Sequence, residues 1–316
     1  MGALLAVDGG GTSTRCMIVD DENGTLADVT GGPCAISRGQ HTALTSLYAT
    51  LDHALREAVH KQCARSRMRL ALKAACLGLS GVSTTDAGPL VQQAVMRFLQ
   101  ERGYSVPATE ILVVSDSEIA LAGALAGRPG IVLIVGTGAV AVGRDAQGGF
   151  FRADGWGWLL GDAGSGYAIG RSALRAAFAS LDGRLAQTRL VSAIPAHFGA
   201  TRLEELVPRA YFSTWGPGEV AALAKVVAQL ADEGDIVCRQ ILQRAGMTLA
   251  NTVFAVGRRL SFGAEADVSY QGSIIHKIPV LRQAVHDTLL QEAPGYRLLP
   301  PERDPVEGAL LLAQGL

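Results

Sequence analysis

The sequence predicts an α/β protein of two similar lobes related by internal duplication, and three observations carry that expectation. Apolar runs at 3–8 and 14–19 flank the turn Gly9-Gly10-Gly11-Thr12-Ser13, the pattern of a strand, a tight turn and a returning strand. The same pattern returns at 131–135, Gly136-Thr137-Gly138 and 139–143, about one domain length later, and a repeat at that interval is most economically a duplication. Apolar residues also recur at helical spacing at Leu44, Leu47, Leu51, Ala54, Ala58 and Val59, and again at Leu90, Val91, Ala94, Val95, Phe98 and Leu99. Amphipathic helices therefore alternate with strands.

In chain order, Asn23-Gly24 marks the reversal after the first hairpin, and residues 25–30 supply a third antiparallel strand. Residues 70–82 read as a strand ending at Gly78-Leu79-Ser80-Gly81, and 111–114 as a short buried strand delivering Ser115 and Asp116. The first lobe is thus β-β-β-α-β-α-β. In the second, a turn at 145–149 follows the hairpin, and 152–170 is too rich in glycine for a helix and too apolar for a linker, with Trp156 and Trp158 inside it. That stretch reads as a loop belonging to a site. Residues 167–181 and most of 217–259 are helix-like, 267–271 is a strand before Gly272, and 305–313 is a closing helix. No Pro/Ser-rich linker separates the halves, so the boundary is expected near 123–130.

Of 316 residues, 48% are hydrophobic and 18% charged, with 28 Lys and Arg against 29 Asp and Glu. So much apolar material with so little charge excludes a disordered chain, and the near-neutral balance gives no electrostatic footprint for nucleic acid. The longest apolar tract, 131–142, is interrupted by Gly136, Thr137 and Gly138 and falls far short of the ~20 residues a bilayer requires, so no membrane span is expected. The start lacks a basic region and reaches Asp8 within eight residues, and Ala6 departs from the myristoylation pattern; neither a signal peptide nor a lipid anchor is indicated, and a cytoplasmic protein is expected. Cys16, Cys34, Cys63, Cys76 and Cys238 are scattered, without a C-x-x-C pair or a histidine cluster. Buried free thiols are expected rather than disulfides or zinc ligands.

The first turn carries the strongest chemistry. Glycines let backbone N–H groups converge on an anion, a carboxylate such as Asp8 at the strand end can hold hydrated Mg²⁺, and Thr12 adds a hydroxyl. The alternative is an ordinary tight hairpin, for which two residues usually suffice, so a phosphate cradle is favoured. It is not a Walker loop, because none of Lys61, Lys73, Lys225 and Lys277 follows a glycine. Gly136, Gly138 and Ala141 match G-x-G-x-x-A, but 139–143 is β-like where a dinucleotide fingerprint needs a helix; a second phosphate-binding hairpin fits better. Asp116, past a buried strand and before a helical run, is either a helix N-cap or a carboxylate placed to take a proton from an attacking hydroxyl. Asp162, amid Gly161, Gly164 and Gly166, is either an N-cap or a ligand. Trp156 and Trp158 are core residues or, given Gly155 and Gly157, a loop pressed against a sugar ring. The histidines form no metal or triad motif, and Gly78-Leu79-Ser80-Gly81-Val82 lacks the last glycine of a nucleophile elbow.

Taken together, Asp8-Gly9-Gly10-Gly11-Thr12, Gly78-Leu79-Ser80-Gly81, Gly136-Thr137-Gly138, Gly155-Trp156-Gly157-x-x-x-Gly161-Asp162-x-Gly164-Ser165-Gly166, Gly272-Ser273 and Glu307-Gly308-Ala309 occur in the order seen in N-acetylglucosamine kinases. The chain resembles that family, and the broader BadF/BadG/BcrA/BcrD ATPases of the actin, Hsp70 and sugar-kinase superfamily, over nearly its whole length. The resemblance implies a two-lobed ribonuclease H-like (actin/hexokinase-like) fold with a cleft between lobes. The lobes would be 1–122, completed by a C-terminal helix at 303–316, and 123–302 with a helical insert. It implies ATP and Mg²⁺ as cofactors and a small-molecule amino sugar, foremost N-acetylglucosamine, phosphorylated on its 6-hydroxyl. Gly10, Gly11 and Thr12 would form the first phosphate loop, Asp8 the magnesium-side carboxylate, Thr137 and Gly138 the second loop, and Gly272 with Ser273 the adenosine side. Asp116 would be the base, and Ser80, Asp116, Thr137, Gly155, Trp156, Gly157 and Asp162 would contact the sugar.

Two departures from the family pattern bear on the sugar. Ala163 stands where relatives usually carry Glu, and the loop Gly32-Pro33-Cys34-Ala35-Ile36-Ser37 lacks their Asn. Asp154, where many relatives have Gly, is expected to offer a new polar contact. A homodimer is implied by the resemblance alone. The alternatives are a glucosamine or N-acetylmuramate kinase, a redox ATPase activator, which would need cysteines for an iron–sulfur cluster, or a sugar sensor without turnover.

Overall fold

The computed structural model describes residues 2–22, 24–36, 39–65, 70–82, 87–212 and 215–316. Asn23 of the expected first reversal and Ser37 of the sugar loop lie outside the described residues. The chain divides into two compact units, Met1–Arg128 with Pro301–Leu316, and Pro129–Pro300.

In the first unit, β1 (Ala3–Gly9), β2 (Thr14–Asp20) and β3 (Gly24–Gly31) form an antiparallel meander. α1 (Gln40–Arg65), β4 (Leu72–Leu79), α2 (Gly88–Glu101), β5 (Ile111–Ser115) and α3 (Asp116–Ala124) follow. The sheet order is β3-β2-β1-β4-β5, with β1, β4 and β5 parallel. β1 reads as an unbroken apolar run because both its faces are covered. Leu5 and Val7 pack with Leu47 and Leu51 of α1 and Val91 and Val95 of α2. Leu4 and Ala6 pack instead with Ile119 of α3 and with Val306 and Ala309 of the last helix, α11 (Pro305–Gln314). α3 and α11 cross in backbone contact. A Cβ at Gly308 would collide with the Ile119 carbonyl, and one at Gly123 with the Asp304 carbonyl.

The second unit repeats the plan. β6 (Gly130–Val135), β7 (Ala139–Arg144) and β8 (Phe150–Asp154) form a meander, and β9 (Glu265–Gln271) and β10 (Gly295–Leu299) run parallel to β6, giving the order β8-β7-β6-β9-β10. Where, among the described residues, α1 links the third and fourth strands of the first unit, this unit inserts α4 (Gly166–Leu181), α5 (Leu190–His197), α6 (Val207–Phe212), α7 (Pro217–Asp232) and α8 (Ile236–Arg259). α9 (Ser273–Lys277) and α10 (Pro279–Glu292) lie between β9 and β10. Ile131, Leu133 and Val268 of the sheet pack with Leu249 and Val253 of α8 and Leu281 and Val285 of α10 in one core.

The expected elements recur with four corrections. The long helical stretch splits into α7 and α8 at Gly234, whose φ is +98°, with Asp235 capping α8 through the Cys238 N–H. The expected loop at 152–170 begins as the end of β8 and finishes inside α4. β10, α5, α6, α9 and α10 are additional to the sequence reading. Cys16, Cys34, Cys76 and Cys238 are buried free thiols, but Cys63 is exposed. Among the described residues no helix is long and apolar enough to cross a membrane.

Candidate active site

Because β1, β4 and β5 are parallel, their C-terminal ends share one edge of the first sheet, where α/β sheets place their ligands. Register sets Asp8 beside Gly78, Gly9 beside Leu79, and Leu79 beside Ser115. Asp8, Ser80 and Asp116 therefore emerge together. The turn after β1 closes with the Gly10 N–H on the Ser13 carbonyl at 2.9 Å. It is laced to its neighbours by the Ser80 N–H on the Gly9 carbonyl at 2.9 Å, the Cys34 N–H on the Gly10 carbonyl at 3.1 Å, and the Ile36 N–H on the Ser80 carbonyl at 2.9 Å. Gly11 is half-buried and Thr12 exposed at the tip. Gly9, to which the sequence alone assigns no role, is needed for packing: a Cβ there would collide with Cys34 Sγ and reach 2.5 Å from Leu79 Cδ2.

The carboxylates at this edge crowd one another. Asp8 is pushed up to about 6, first by burial and then by the negative charges of Asp116 and Asp304, with Arg15 opposing. Arg15 is already engaged, pairing with Asp28 at 2.8 Å and with Asp304 at 2.5 Å. Asp116 is not the N-cap. Ser115 fills that position, accepting from the Glu118 N–H at 3.2 Å in a capping box, so Asp116 is the first helical residue and is half-buried. Its Oδ1 accepts from the Ser117 N–H at 2.9 Å. The donor set suits Mg²⁺: ionising Asp8 here is costly unless a cation arrives. Among the described residues no group of three or more His, Cys, Asp or Glu could cage a metal ion, and Mg²⁺ ordinarily takes only one or two carboxylates beside water and phosphate oxygens.

In the second unit the turn between β6 and β7 occupies the corresponding edge. The Gly136 N–H donates to the Gly138 carbonyl at 2.9 Å, and Thr137 is exposed at the tip. A Cβ at Gly136 would meet nothing within 4 Å, leaving room for a phosphate against the backbone. Gly138 is constrained differently, because a Cβ there would stand 2.7 Å from Asp162 Oδ2. Asp162 Oδ1 also accepts from the Ala139 N–H at 3.3 Å, and burial raises its pKa above the usual carboxylate value. Asp162 is not the N-cap of α4 either; Ser165 is, accepting from the Ala168 N–H at 3.2 Å. The next two amides, Gly166 and Tyr167, donate to the Gly136 and Thr137 carbonyls at 2.9 and 3.1 Å. The start of α4 thus anchors the turn and is itself spent as an anion site.

The tryptophans are not core. Trp156 is 63% and Trp158 46% exposed, on a loop whose Gly155 and Gly157 have φ of +73° and +88°. Trp156 lies over the Arg152 guanidinium at 5.0 Å, and Trp158 leans on Tyr167 at 5.4 Å. The polar contacts of Asp154 are with the backbone of its own loop: its carboxylate accepts from the N–H groups of Gly155, Asp162 and Ala163. Gly272, at φ +99°, allows β9 to close onto β6, since a Cβ would collide with the Val135 carbonyl; the exposed Ser273 begins α9.

The residues singled out in the sequence therefore gather in two sets, one per unit. Asp8, Gly10, Gly11, Thr12, Ser80 and Asp116 line the first sheet edge, and Thr137, Gly138, Gly155, Trp156, Gly157, Asp162, Gly272 and Ser273 the second. Ser115 and Asp304 escape the sequence reading, although Ser115-x-x-Glu118 and Asp304-x-x-Glu307 are both capping-box patterns. The dinucleotide reading of the second turn fails because strand β7, not a helix, follows it.

Two copies of one mixed sheet, each with a glycine turn after its first strand, define the class of actin-like ATPases that includes sugar kinases. The chain belongs to the BadF/BadG/BcrA/BcrD ATPase family, which residues 5–313 match. It is 30% identical over 313 residues to the N-acetylmuramic acid/N-acetylglucosamine kinase of Clostridium acetobutylicum, covering 98% of each chain. It is 29% identical over 317 residues to the N-acetyl-D-glucosamine kinase of Dictyostelium discoideum, covering 98% of this chain and 97% of that one. The solved structure of a proposed N-acetylglucosamine kinase from Chromobacterium violaceum superposes with a TM-score of 0.74 at 27% identity, covering 99% of each chain.

Proposed function

We propose that the protein is an ATP-dependent amino-sugar kinase, transferring the γ-phosphoryl group of MgATP to the 6-hydroxyl of N-acetylglucosamine. The observation that carries this reading is Asp116, a half-buried carboxylate at the end of β5 that is released from capping duty by Ser115. A carboxylate at that place can take the proton of an attacking alcohol. Asp8 would hold Mg²⁺, which when bound neutralises charge on the phosphate oxygens. Gly10, Gly11 and Thr12, and likewise Thr137 and Gly138, would hydrogen-bond phosphate oxygens, and Gly272 with Ser273 would meet the adenosine. Ser80, Gly155, Trp156, Gly157, Asp162 and Thr137 would meet the sugar, with the exposed indole covering an apolar ring face.

A second acceptor, N-acetylmuramate, is supported by the double substrate in the name of the Clostridium acetobutylicum relative; glucosamine is a third. A redox ATPase activator is disfavoured because four of the five cysteines are buried and only Cys63 is exposed. The reading carries with it a cytoplasmic homodimer, an assembly that sedimentation velocity would check. The test is ADP formation with N-acetylglucosamine, glucosamine, N-acetylmuramate and glucose. Sugar-dependent ADP release with an amino sugar is expected. Stabilisation by sugar with no ADP from any of the four would make the protein a sensor instead.

A further inference from the structure

The geometry points to Asp154 as the positioning residue of the tryptophan loop, a role that rests on the sugar-kinase reading of that loop. Asp154 ends β8 with φ of +65°, a left-handed conformation unusual for a side-chain-bearing residue but within reach of Asp. From there its carboxylate takes three backbone donors at once: Gly155 N–H at 2.8 Å and Asp162 N–H at 2.7 Å on Oδ1, and Ala163 N–H at 2.9 Å on Oδ2. The donors come from both ends of the loop, so one side chain ties the loop shut. Gly161 is required by this arrangement, since a Cβ there would collide with Asp154 Oδ1. Arg152 secures the near end, with Nε on the Asp154 carbonyl at 3.1 Å, a second donor on the Gly155 carbonyl, and its guanidinium against the Trp156 ring.

The far end of the same clasp is Asp162, itself left-handed at φ +57°, whose carboxylate rests on Gly138 and accepts the Ala139 N–H. Asp154 thereby fixes Trp156 and Asp162 relative to the phosphate turn before any sugar arrives, and preorganisation of this kind appears as substrate affinity. A carboxylate is the group suited to the task, because both of its oxygens can accept. An asparagine would present its NH₂ to one of the three donors.

The test compares Asp154→Asn and Asp154→Gly, the second removing the carboxylate while easing the left-handed backbone. Both variants are expected to raise KM for the amino sugar about tenfold while KM for ATP and kcat stay within about threefold. In Asp154→Gly, hydrogen exchange at the Gly155, Asp162 and Ala163 amides should accelerate at least tenfold. Sugar KM within twofold of wild type in both variants, or equal losses toward both substrates with a lowered Tm, overturns the assignment. The exchange measurement stands apart from the sugar reading: unchanged exchange removes Asp154 as the clasp whatever the loop binds. Accelerated exchange in a protein that phosphorylates no sugar upholds the clasp and defeats the kinase reading alone.

Discussion

The two units share a strand order and differ in what stands at equivalent stations. One residue before the last ladder pair of the opening hairpin, the first unit has Asp8 and the second Ile134. At the helix following the fifth strand, Ser115 caps and Asp116 comes first after β5, whereas Asp304 caps and Pro305 comes first after β10. The first unit thus sets carboxylates on its strand ends. The second has Ile134 and Pro305 where the first has Asp8 and Asp116, and it places Asp154 at the end of β8 and Asp162 in the connection that follows. One scaffold occurs twice: the first copy carries Asp8 and Asp116 at its strand ends, while the second elaborates a loop and five helices. A second consequence is that Asp304, the cap belonging to the second copy's closing helix, sits in the first unit and adds its charge to that around Asp8.

The largest expected effect breaks the asymmetry at its most specialised point. Asp116→Asn should lower kcat by roughly 10²–10⁴ if Asp116 is the general base, with Tm not lowered, because Ser115 still caps α3 and one of the charges that raise Asp8 is removed. Steady-state ADP release beside a melting curve measures both. Normal turnover in the folded variant would hand the proton to another group.

Asp8→Asn should also abolish activity, yet stabilise the metal-free protein. Asp8 titrates near 6 when folded against an ordinary 3.8, so the folded state binds its proton more tightly. Stability is then greatest where Asp8 is protonated and falls as pH rises from about 4 to about 6. Holding the proton that much more tightly is worth roughly 2–3 kcal/mol. The variant should therefore gain stability at pH 7 and lose the slope, and urea melts at pH 4 and 7 without magnesium give both quantities. A variant less stable than wild type at pH 7 would mean the crowding of carboxylates is harmless.

The two glycine turns should respond differently to the same methyl group. At Gly10 a Cβ would sit 3.4 Å from the Ser13 carbonyl oxygen, an ordinary contact, so Gly10→Ala should leave Tm alone and weaken ATP binding. At Gly138 the methyl group meets the Asp162 carboxylate, so Gly138→Ala should cost about 1–3 kcal/mol of stability as well. Equal behaviour of the two variants would mean that Asp162 does not brace the second turn.

What is legible in the sequence is local. Both glycine turns, Asp116 past a buried strand and the tryptophan loop are marked by residues whose types are unusual where they stand. β8 is hidden in that loop because Phe150–Asp154 is an edge strand with no buried residue and no alternating pattern, so nothing distinguishes it from the glycines that follow. β10, half-exposed at the opposite edge, escapes notice for the same reason. The non-local pairings leave no signal at all. Arg15 meets Asp304 across 289 positions, and Asp154 reaches Asp162 and Ala163 only because Gly161 lets the chain fold back. The sequence suggests a new polar contact for Asp154 but names no partner, because composition shows that a carboxylate is present and not which amides will use it.

The smallest effect separates the two helix caps. Ser115→Ala removes one neutral cap and should cost about 1 kcal/mol. Asp304→Ala removes a cap and a half-exposed ion pair with Arg15, the latter contributing little by itself. It also removes one of the charges that raise Asp8, and that relief offsets part of the loss at neutral pH. The net cost of Asp304→Ala at pH 7 should therefore be no larger than that of Ser115→Ala, although an ion pair is lost along with the cap. At pH 4, where Asp8 is protonated, the relief vanishes and Asp304→Ala should become the more costly of the two. Chemical denaturation of both variants at the two pH values decides the matter: an order that does not change with pH would show that Asp304 acts on its helix and not on Asp8.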